Sequence, residues 1–314
     1  MASYTAITQK EAEQILSLYG NYQIMELTPL SLGISNSNYQ VLLKDHPPLV
    51  LKISNDKNTD DLREEQKILN YLSQHHFPHS LVPYLTKKGD LIYEMGSFYG
   101  VIYPFISGHI PSISSDICFK IGKSLASLHS LNLQPGASSY VRSFETVGFG
   151  AKQIKNYLLQ KDCPSDFKAI FEQIFPDQLN KYLKADLPQG LIHGDLYYDN
   201  TLFDEQGLKM ILDFEQGGMG PYLFDLGVSI SGTCLLEGKV HTPYVEAYMK
   251  GYSSGRNLDA AEAPHFEEAI LLGLYSIALW RIKRFNEKQL APSKKDNYKE
   301  LILRAQDYFN RINK

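Results

Sequence analysis

The sequence predicts an α+β fold built as two lobes, a β-rich N-terminal lobe followed by a mostly helical C-terminal one. A chain of 314 residues exceeds the size at which one hydrophobic core stops growing. Up to residue 106 apolar residues fall mostly in short alternating runs, and beyond Ser107-Gly108 they recur at helical spacing. The predicted domains are therefore 1–106 and 107–314, joined by one short connection. A junction of that kind is a natural place for a ligand cleft.

The elements follow in order. Thr8 and Glu11 match a capping box, and Ala12, Ile15, Leu16 and Tyr19 continue at helical spacing until Gly20. The runs YQIMELTPL, NYQVLL and PLVLKIS then read as strands, separated by SLGISNS and by residues 44–48. Helical spacing returns over 59–76, with Leu62, Ile68, Leu69 and Leu72 on one stripe. Further strands are expected at 81–86, 91–93 and 100–105. The N-terminal lobe is thus a mainly antiparallel sheet with one main helix inserted after its third strand. In the C-terminal lobe helices are expected over 114–131, 151–160, 165–184, 222–236, 243–252, 264–285 and 295–312. A hairpin over 200–213 interrupts them, turning through Asp204-Glu205-Gln206-Gly207.

Composition removes several functional classes. The net charge is −4 with no basic stripe, which argues against a nucleic-acid partner. No run of about 18 apolar residues predicts a membrane span, and the first residues lack the apolar core of a signal peptide. Cys118, Cys163 and Cys234 are far apart and form no CxxC pair, so they read as reduced thiols of a cytoplasmic protein.

The densest chemistry lies in LIHGDLYYDNTLFDEQGLKMILDFEQGG, residues 191–218. An apolar approach delivers a loop carrying His193, Asp195, Asp199 and Asn200, and the hairpin returns Asp213 at the end of the apolar run MIL. A carboxylate directly after a buried strand is costly to desolvate unless a cation or donors meet it. Asn200 and Asp213 stand at the start and end of paired strands, and hard oxygens of that kind suit Mg²⁺. Asp195 would lie beside the metal, where it can accept the proton of an attacking hydroxyl. His193 reads as a residue that orients the loop, Asp199 as a loop carboxylate, and Asp225 in YLFDLG as a buried brace for the catalytic loop.

The spacing D-x-x-x-x-N with a later D-F resembles the catalytic loop and metal motif of protein-kinase-like phosphotransferases. HGDLYYDN has the H-G-D-x-x-x-x-N form of the aminoglycoside phosphotransferase and choline kinase branch. That resemblance implies a protein-kinase-like two-lobed fold, Asp195 as catalytic base, Asn200 and Asp213 as Mg²⁺ ligands, and ATP as phosphoryl donor. PLVLKIS resembles the kinase strand whose lysine meets the α/β-phosphates and whose residue two earlier touches adenine; Lys52 and Val50 match those positions. The helix that follows offers Glu65, or its neighbour Glu64, as an ion-pair partner for Lys52. SLGISNSNY supplies Gly33, Ser35 and Asn36 to a turn placed to cover phosphates, and the backbone of Tyr103, Phe105 and Ile106 is expected to meet adenine.

Departures from protein kinases narrow the acceptor. The H-R-D arginine is absent, Glu215 replaces the glycine of D-F-G, and no A-P-E follows. No phosphorylatable activation loop fits before the next helix, so a small hydroxyl-bearing molecule is expected rather than a polypeptide. GISNSNYQV, HGDLYYDNTLFDEQ and LYSIALWRIKRF followed by KKDNYKEL resemble the type II homoserine kinases. Arg281 and Arg284 are candidate clamps for a substrate carboxylate, and Trp280 and Glu215 complete the candidate acceptor residues. The rivals are choline or ethanolamine, which want an aromatic cage, aminoglycosides, which want several acids, and a nucleotide-binding pseudokinase used as an interaction module.

Overall fold

The computed structural model describes residues 5–30, 36–55, 57–131, 141–176, 178–287 and 292–313. The chain divides into two compact units, Met1–Ser107 and Gly108–Lys314.

In the first unit helix α1 (Gln9–Ser17) opens on the expected capping box, with Thr8 and Glu11 satisfying each other's backbone N–H. Strands β1 (Ile24–Leu30), β2 (Asn36–Leu43), β3 (His46–Ser54), β4 (Tyr93–Met95) and β5 (Phe98–Pro104) form one antiparallel sheet in the order β1-β2-β3-β5-β4. Alternation along β3 buries Leu49, Leu51 and Ile53 against Ile15 and Leu16 of α1, leaving Val50 and Lys52 half-buried on the other face. Helix α2 (Thr59–Gln74), capped by the Asn58 side chain on the Asp61 N–H, buries Leu62, Glu65, Gln66, Ile68, Leu69 and Leu72. Asparagine at that position satisfies a donor the helix start leaves orphaned.

Two expectations for this unit need correction. Residues 81–86 form no strand; a lone ladder-like bond joins the Tyr84 N–H to the Ile102 carbonyl at 2.9 Å. Pro83 stands inside that run and has no N–H to give a sheet. The segment 44–48 is no loop either, because β3 already starts at His46 and pairs it with Leu43. Asp45 takes a left-handed φ of 60°, which lets the hairpin close over Lys44 and Asp45.

The second unit contains α3 (Ser115–His129), α4 (Ala151–Tyr157), α5 (Ser165–Ile174), α6 (Gln178–Lys184), α7 (Tyr222–Thr233), α8 (Thr242–Ser253), α9 (Phe266–Asn286) and α10 (Tyr298–Ile312). Both α7 and α9 are buried along nearly all their faces, which marks them as the centre of the unit. None of the described helices is long and apolar enough to cross a membrane. The helix expected over 165–184 is two, since the chain leaves helical geometry at Phe175 (ψ 60°) ahead of Pro176. The helix expected over 222–236 stops at Thr233, and β10 (Leu235–Leu236) instead pairs with β11 (Lys239–Val240). Glu237 and Gly238 both take positive φ there, as a tight primed turn demands.

The central hairpin is β7 (Thr201–Asp204) with β8 (Gly207–Ile211), and its turn is fixed by Asp204 Oδ1 accepting the Gln206 N–H at 2.8 Å. Beside it lies a pair the sequence reading did not separate from loop, β6 (Gln189–Ile192) with β9 (Gly218–Pro221). Four residues with two glycines carry too little periodicity to announce a strand.

Gly227 of α7 marks a close helix contact, because a Cβ there would stand 2.1 Å from the Ala269 carbonyl oxygen of α9. Gly227→Ala is therefore expected to destabilise the chain by about 1–3 kcal/mol, read as a lower urea midpoint. An unchanged midpoint would contradict this packing.

Candidate active site

Each unit carries one set of the candidate residues. In the first, the sheet brings Lys52 out at the middle of β3, beside Asn38 of β2 and Val101 of β5. Its Nζ lies 3.3 Å from Glu65 Oε1, while Glu64 pairs instead with Lys67. Glu65 is only 2% exposed, so its charge must be compensated where it stands. Lys57 supplies the second partner, 2.7 Å from Glu65 Oε2. The sequence reading missed Lys57; a lysine just past a strand carries no signal of its own. Two ammonium groups thus meet on one buried carboxylate.

Val50 pairs with Gln40 and with Tyr103, and the Phe105 N–H donates to the Pro48 carbonyl at 2.9 Å. The Tyr103 hydroxyl donates to Gln66 Oε1 at 2.7 Å, tying β5 to α2. Ile106 follows the end of β5. Asn36 opens β2, whereas Gly33 and Ser35 lie outside the described residues.

The second unit's set is assembled on the loop after β6. Asp225, wholly buried on α7, accepts the backbone N–H of His193 at 2.9 Å and of Gly194 at 2.7 Å. His129 of α3 adds its Nε2–H, 2.9 Å from Asp225 Oδ2. Burial alone would raise the Asp225 carboxyl; the hydrogen bond from His129, with that from the His193 N–H, holds it below the usual carboxylate range. Gly194 takes φ +81°, and a Cβ there would stand 2.8 Å from the Gln216 carbonyl, so only glycine fits before Asp195.

The His193 side chain is wholly committed to the loop. Its Nε2 lies 2.8 Å from the Leu212 carbonyl, its Nδ1 accepts the Asp195 N–H at 3.2 Å, and its ring packs on Phe214 at 4.5 Å. These bonds assign the proton to Nε2. Burial pushes the His193 pKa down, which keeps the ring neutral.

Asn200 Nδ2 donates to the Asp195 carbonyl at 2.8 Å, which turns the amide oxygen the other way as an acceptor. The Asn200 carbonyl takes the Leu212 N–H at 2.8 Å, so the hairpin's open end sets Asn200 beside the residue before Asp213. Asp213 itself is left-handed, φ 62° and ψ 59°, a conformation that costs energy in a non-glycine residue and is concentrated at functional sites. The loop beyond it is clamped by Arg142, whose Nη2 and Nε donate to the carbonyls of Glu215 and Gly217 at 2.7 and 2.9 Å. Arg142 was not singled out from the sequence, where it is an isolated cation far from the motif.

Acids crowd around Asp195 in this set. Burial first, then the negative charges of Asp213, Asp199, Glu215 and Asp225, push the Asp195 carboxyl well above its ordinary range. Asp199 is also raised by burial. A divalent cation would relieve that repulsion, and an amide oxygen with a carboxylate is the donor chemistry Mg²⁺ takes when phosphates complete its shell. Asn200 and Asp213 therefore fit such an ion. Among the described residues no group of three or more His, Cys, Asp or Glu forms a metal cage.

Of the candidate acceptor residues, Arg281 donates to the Asn297 carbonyl at 2.7 Å and lies 3.6 Å from Glu300 Oε2. The Arg284 guanidinium sits 5.3 Å from the Trp280 ring.

A family profile described as "phosphotransferase enzyme family" matches residues 26–264, most of the chain and all of this motif. The chain belongs to the phosphotransferase enzyme family. This phosphotransferase, an enzyme acting on small molecules, is 26% identical over 277 residues to the homoserine kinase of Agrobacterium fabrum, covering 83% of this chain and 81% of the relative. It is also 26% identical over 308 residues to the homoserine kinase of Paraburkholderia phytofirmans, covering 91% and 88%. Among solved structures it resembles a microcompartment-associated aminopropanol kinase, with TM-score 0.74 and 18% identity, over 98% of both chains. It also resembles an amicoumacin kinase solved with AMP-PNP and Ca²⁺, with TM-score 0.73 and 17% identity, over 98% and 97%. At those identities the likeness speaks for the fold, which is α+β and kinase-like, with a five-stranded antiparallel sheet before a largely helical remainder.

The buried neutral ring of His193 has a measurable consequence. Below pH about 6.5 the unfolded chain binds a proton there that the folded chain refuses, so this residue lowers stability as the pH falls. His193→Asn is expected to remove that contribution: between pH 6.5 and 5.5 the parent should lose more unfolding free energy than the variant. Equal slopes in urea titrations would contradict a neutral buried ring.

Proposed function

We propose that this phosphotransferase moves the γ-phosphoryl group of ATP, with Mg²⁺, onto the side-chain hydroxyl of homoserine. The observation that carries the chemistry is the braced loop: Asp195 is fixed from both sides by His193 and Asn200, and its raised pKa suits a group that takes up a proton. ATP bound with Mg²⁺ supplies the electrophilic phosphorus and the neutralising charge. Lys52, steadied by Glu65, holds the α/β-phosphates, and Val50 with the backbone of Tyr103, Phe105 and Ile106 receives the adenine. Gly33, Ser35 and Asn36 cover the phosphates. Asn200 and Asp213 offer the metal their oxygens. Asp195 takes the hydroxyl proton as the new O–P bond forms and the bond to the ADP oxygen breaks, so catalysis comes from positioning and charge neutralisation.

Homoserine as acceptor is supported by the names of the relatives at 22–26% identity along most of the chain. Arg281 and Arg284 are the candidate cations for its carboxylate, with Trp280 and Glu215 beside the acceptor. The aminopropanol kinase likeness favours a second reading, an amino alcohol without the carboxylate. The absence of a membrane-crossing helix among the described residues fits a cytoplasmic enzyme.

ADP release measured over homoserine, aminopropanol, choline, ethanolamine and aminoglycosides separates these readings. Homoserine should give the highest kcat/KM, and a preference for an uncharged-end amino alcohol would replace it. Asp195→Asn should keep ATP affinity and lose about 10²–10⁴ in kcat; turnover within a few-fold of the parent would remove Asp195 from the role of base.

A further inference from the structure

The brace on the catalytic loop continues beyond His129 through buried groups that the reaction does not use. The Tyr252 hydroxyl of α8 lies 2.8 Å from His129 Nδ1. Arg256 Nη1 donates to that hydroxyl at 2.9 Å, and its Nη2 donates to Glu262 Oε2 at 2.8 Å. The Asp259 N–H donates to the same Glu262 oxygen at 3.1 Å. Glu262 and Tyr252 are fully buried, like Asp225, and His129 is 3% exposed. The Tyr222 ring fills the angle of this line, 4.7 Å from the Arg256 guanidinium and 4.6 Å from the His129 ring.

The end groups dictate the order of protons between them. A guanidinium only donates and a carboxylate only accepts. Arg256 occupies a lone pair of the Tyr252 oxygen, which leaves the Tyr252 proton for His129 Nδ1. His129 Nδ1 is thereby held as an acceptor, and the ring's own proton stands on Nε2, facing Asp225. The reverse order would set two donors or two acceptors against each other inside the core, at the cost of an unmade buried bond. Burial pushes the His129 pKa down against the pull of Asp225, with Arg256 lowering it and Glu262 raising it, so the ring is neutral and its tautomer matters.

We infer that Tyr252, Arg256 and Glu262 are positioning residues: the Arg256–Glu262 ion pair sets one proton order through Tyr252 and His129, which aims Asp225 at the His193 and Gly194 amides and so places Asp195. Its meaning for catalysis rests on the reading of Asp195 as the base, whereas the proton order stands on the hydrogen bonds alone. Glu262 keeps Arg256 directed, Tyr252 passes that direction on, and His129 delivers it to Asp225 and the loop.

The test uses the full chain labelled with ¹⁵N histidine and ¹⁵N amides. The His129 signals, assigned by their loss in His129→Gln, should show the Nε2–H tautomer without titration from pH 6 to 8. Tyr252→Phe, which removes one oxygen, should let Nδ1 titrate or the tautomers mix, and should speed amide exchange at His193 and Gly194 about tenfold. Arg256→Lys keeps a donor-only cation and should preserve the Nε2–H signature that Arg256→Met loses. An Nδ1–H ring or an imidazolium in the intact chain would overturn the inference, as would unchanged His193 and Gly194 exchange in Tyr252→Phe. Should Arg256→Met fail to fold, the intact chain and Tyr252→Phe decide. Failure of the Asp195 reading would look different: turnover retained in Asp195→Asn, with the His129 signature intact.

Discussion

The site in the second unit hangs on one buried carboxylate. Asp225 collects the N–H groups of His193 and Gly194 and the Nε2–H of His129, and no water-exposed group would do that work. A lone carboxylate in that position would be expensive to bury; these donors make it affordable and, in return, leave the loop a single place to sit. Everything around Asp195 then follows: glycine before it because the turn is left-handed, His193 bridging to Leu212, and Asn200 closing the loop on the Asp195 carbonyl. The geometry is thus imposed from α7, an element of the core, on a loop that must present a polar group.

A second constraint is electrostatic. The acids near Asp195 repel one another, and the loop bonds hold them together against that repulsion. Asp213 in its left-handed conformation adds backbone strain that the surrounding structure holds. In the first unit the charges are paired: Lys52 and Lys57 share Glu65. Two ammonium groups on Glu65 compensate a carboxylate that would be costly to bury alone.

The fold was readable wherever periodicity is long or chemistry is local. The capping box of α1, the alternation of β3, the helix after it and the hairpin of β7 and β8 all stand where the sequence puts them. Failures came where one residue overrides a pattern: Pro83 removes a donor from an apparent strand, Phe175-Pro176 divides an apparent helix, and Asp45 permits a tighter turn than its neighbours suggest. Within the candidate site, His193, Asp195, Asn200, Asp213 and Asp225 stood out because they share one motif spacing. Arg142, Lys57 and Tyr252 were not, because a residue that acts through carbonyls or through another side chain leaves no spacing rule. His129 left a faint signal only, a histidine on the buried stripe of α3 beside Leu125 and Leu128. The proposed acceptor residues Arg281 and Arg284 have the same difficulty, since they are ordinary residues for a helix.

The central claim is that a core carboxylate, by holding two backbone amides, places the reacting group. Asp225→Asn tests it most directly, because the change is isosteric yet turns one of the accepting oxygens into a donor facing N–H groups. For folded Asp225→Asn, phosphoryl transfer to the best acceptor is predicted to fall about hundredfold or more while nucleotide affinity stays near that of the parent. Parental kcat in that variant would contradict the account.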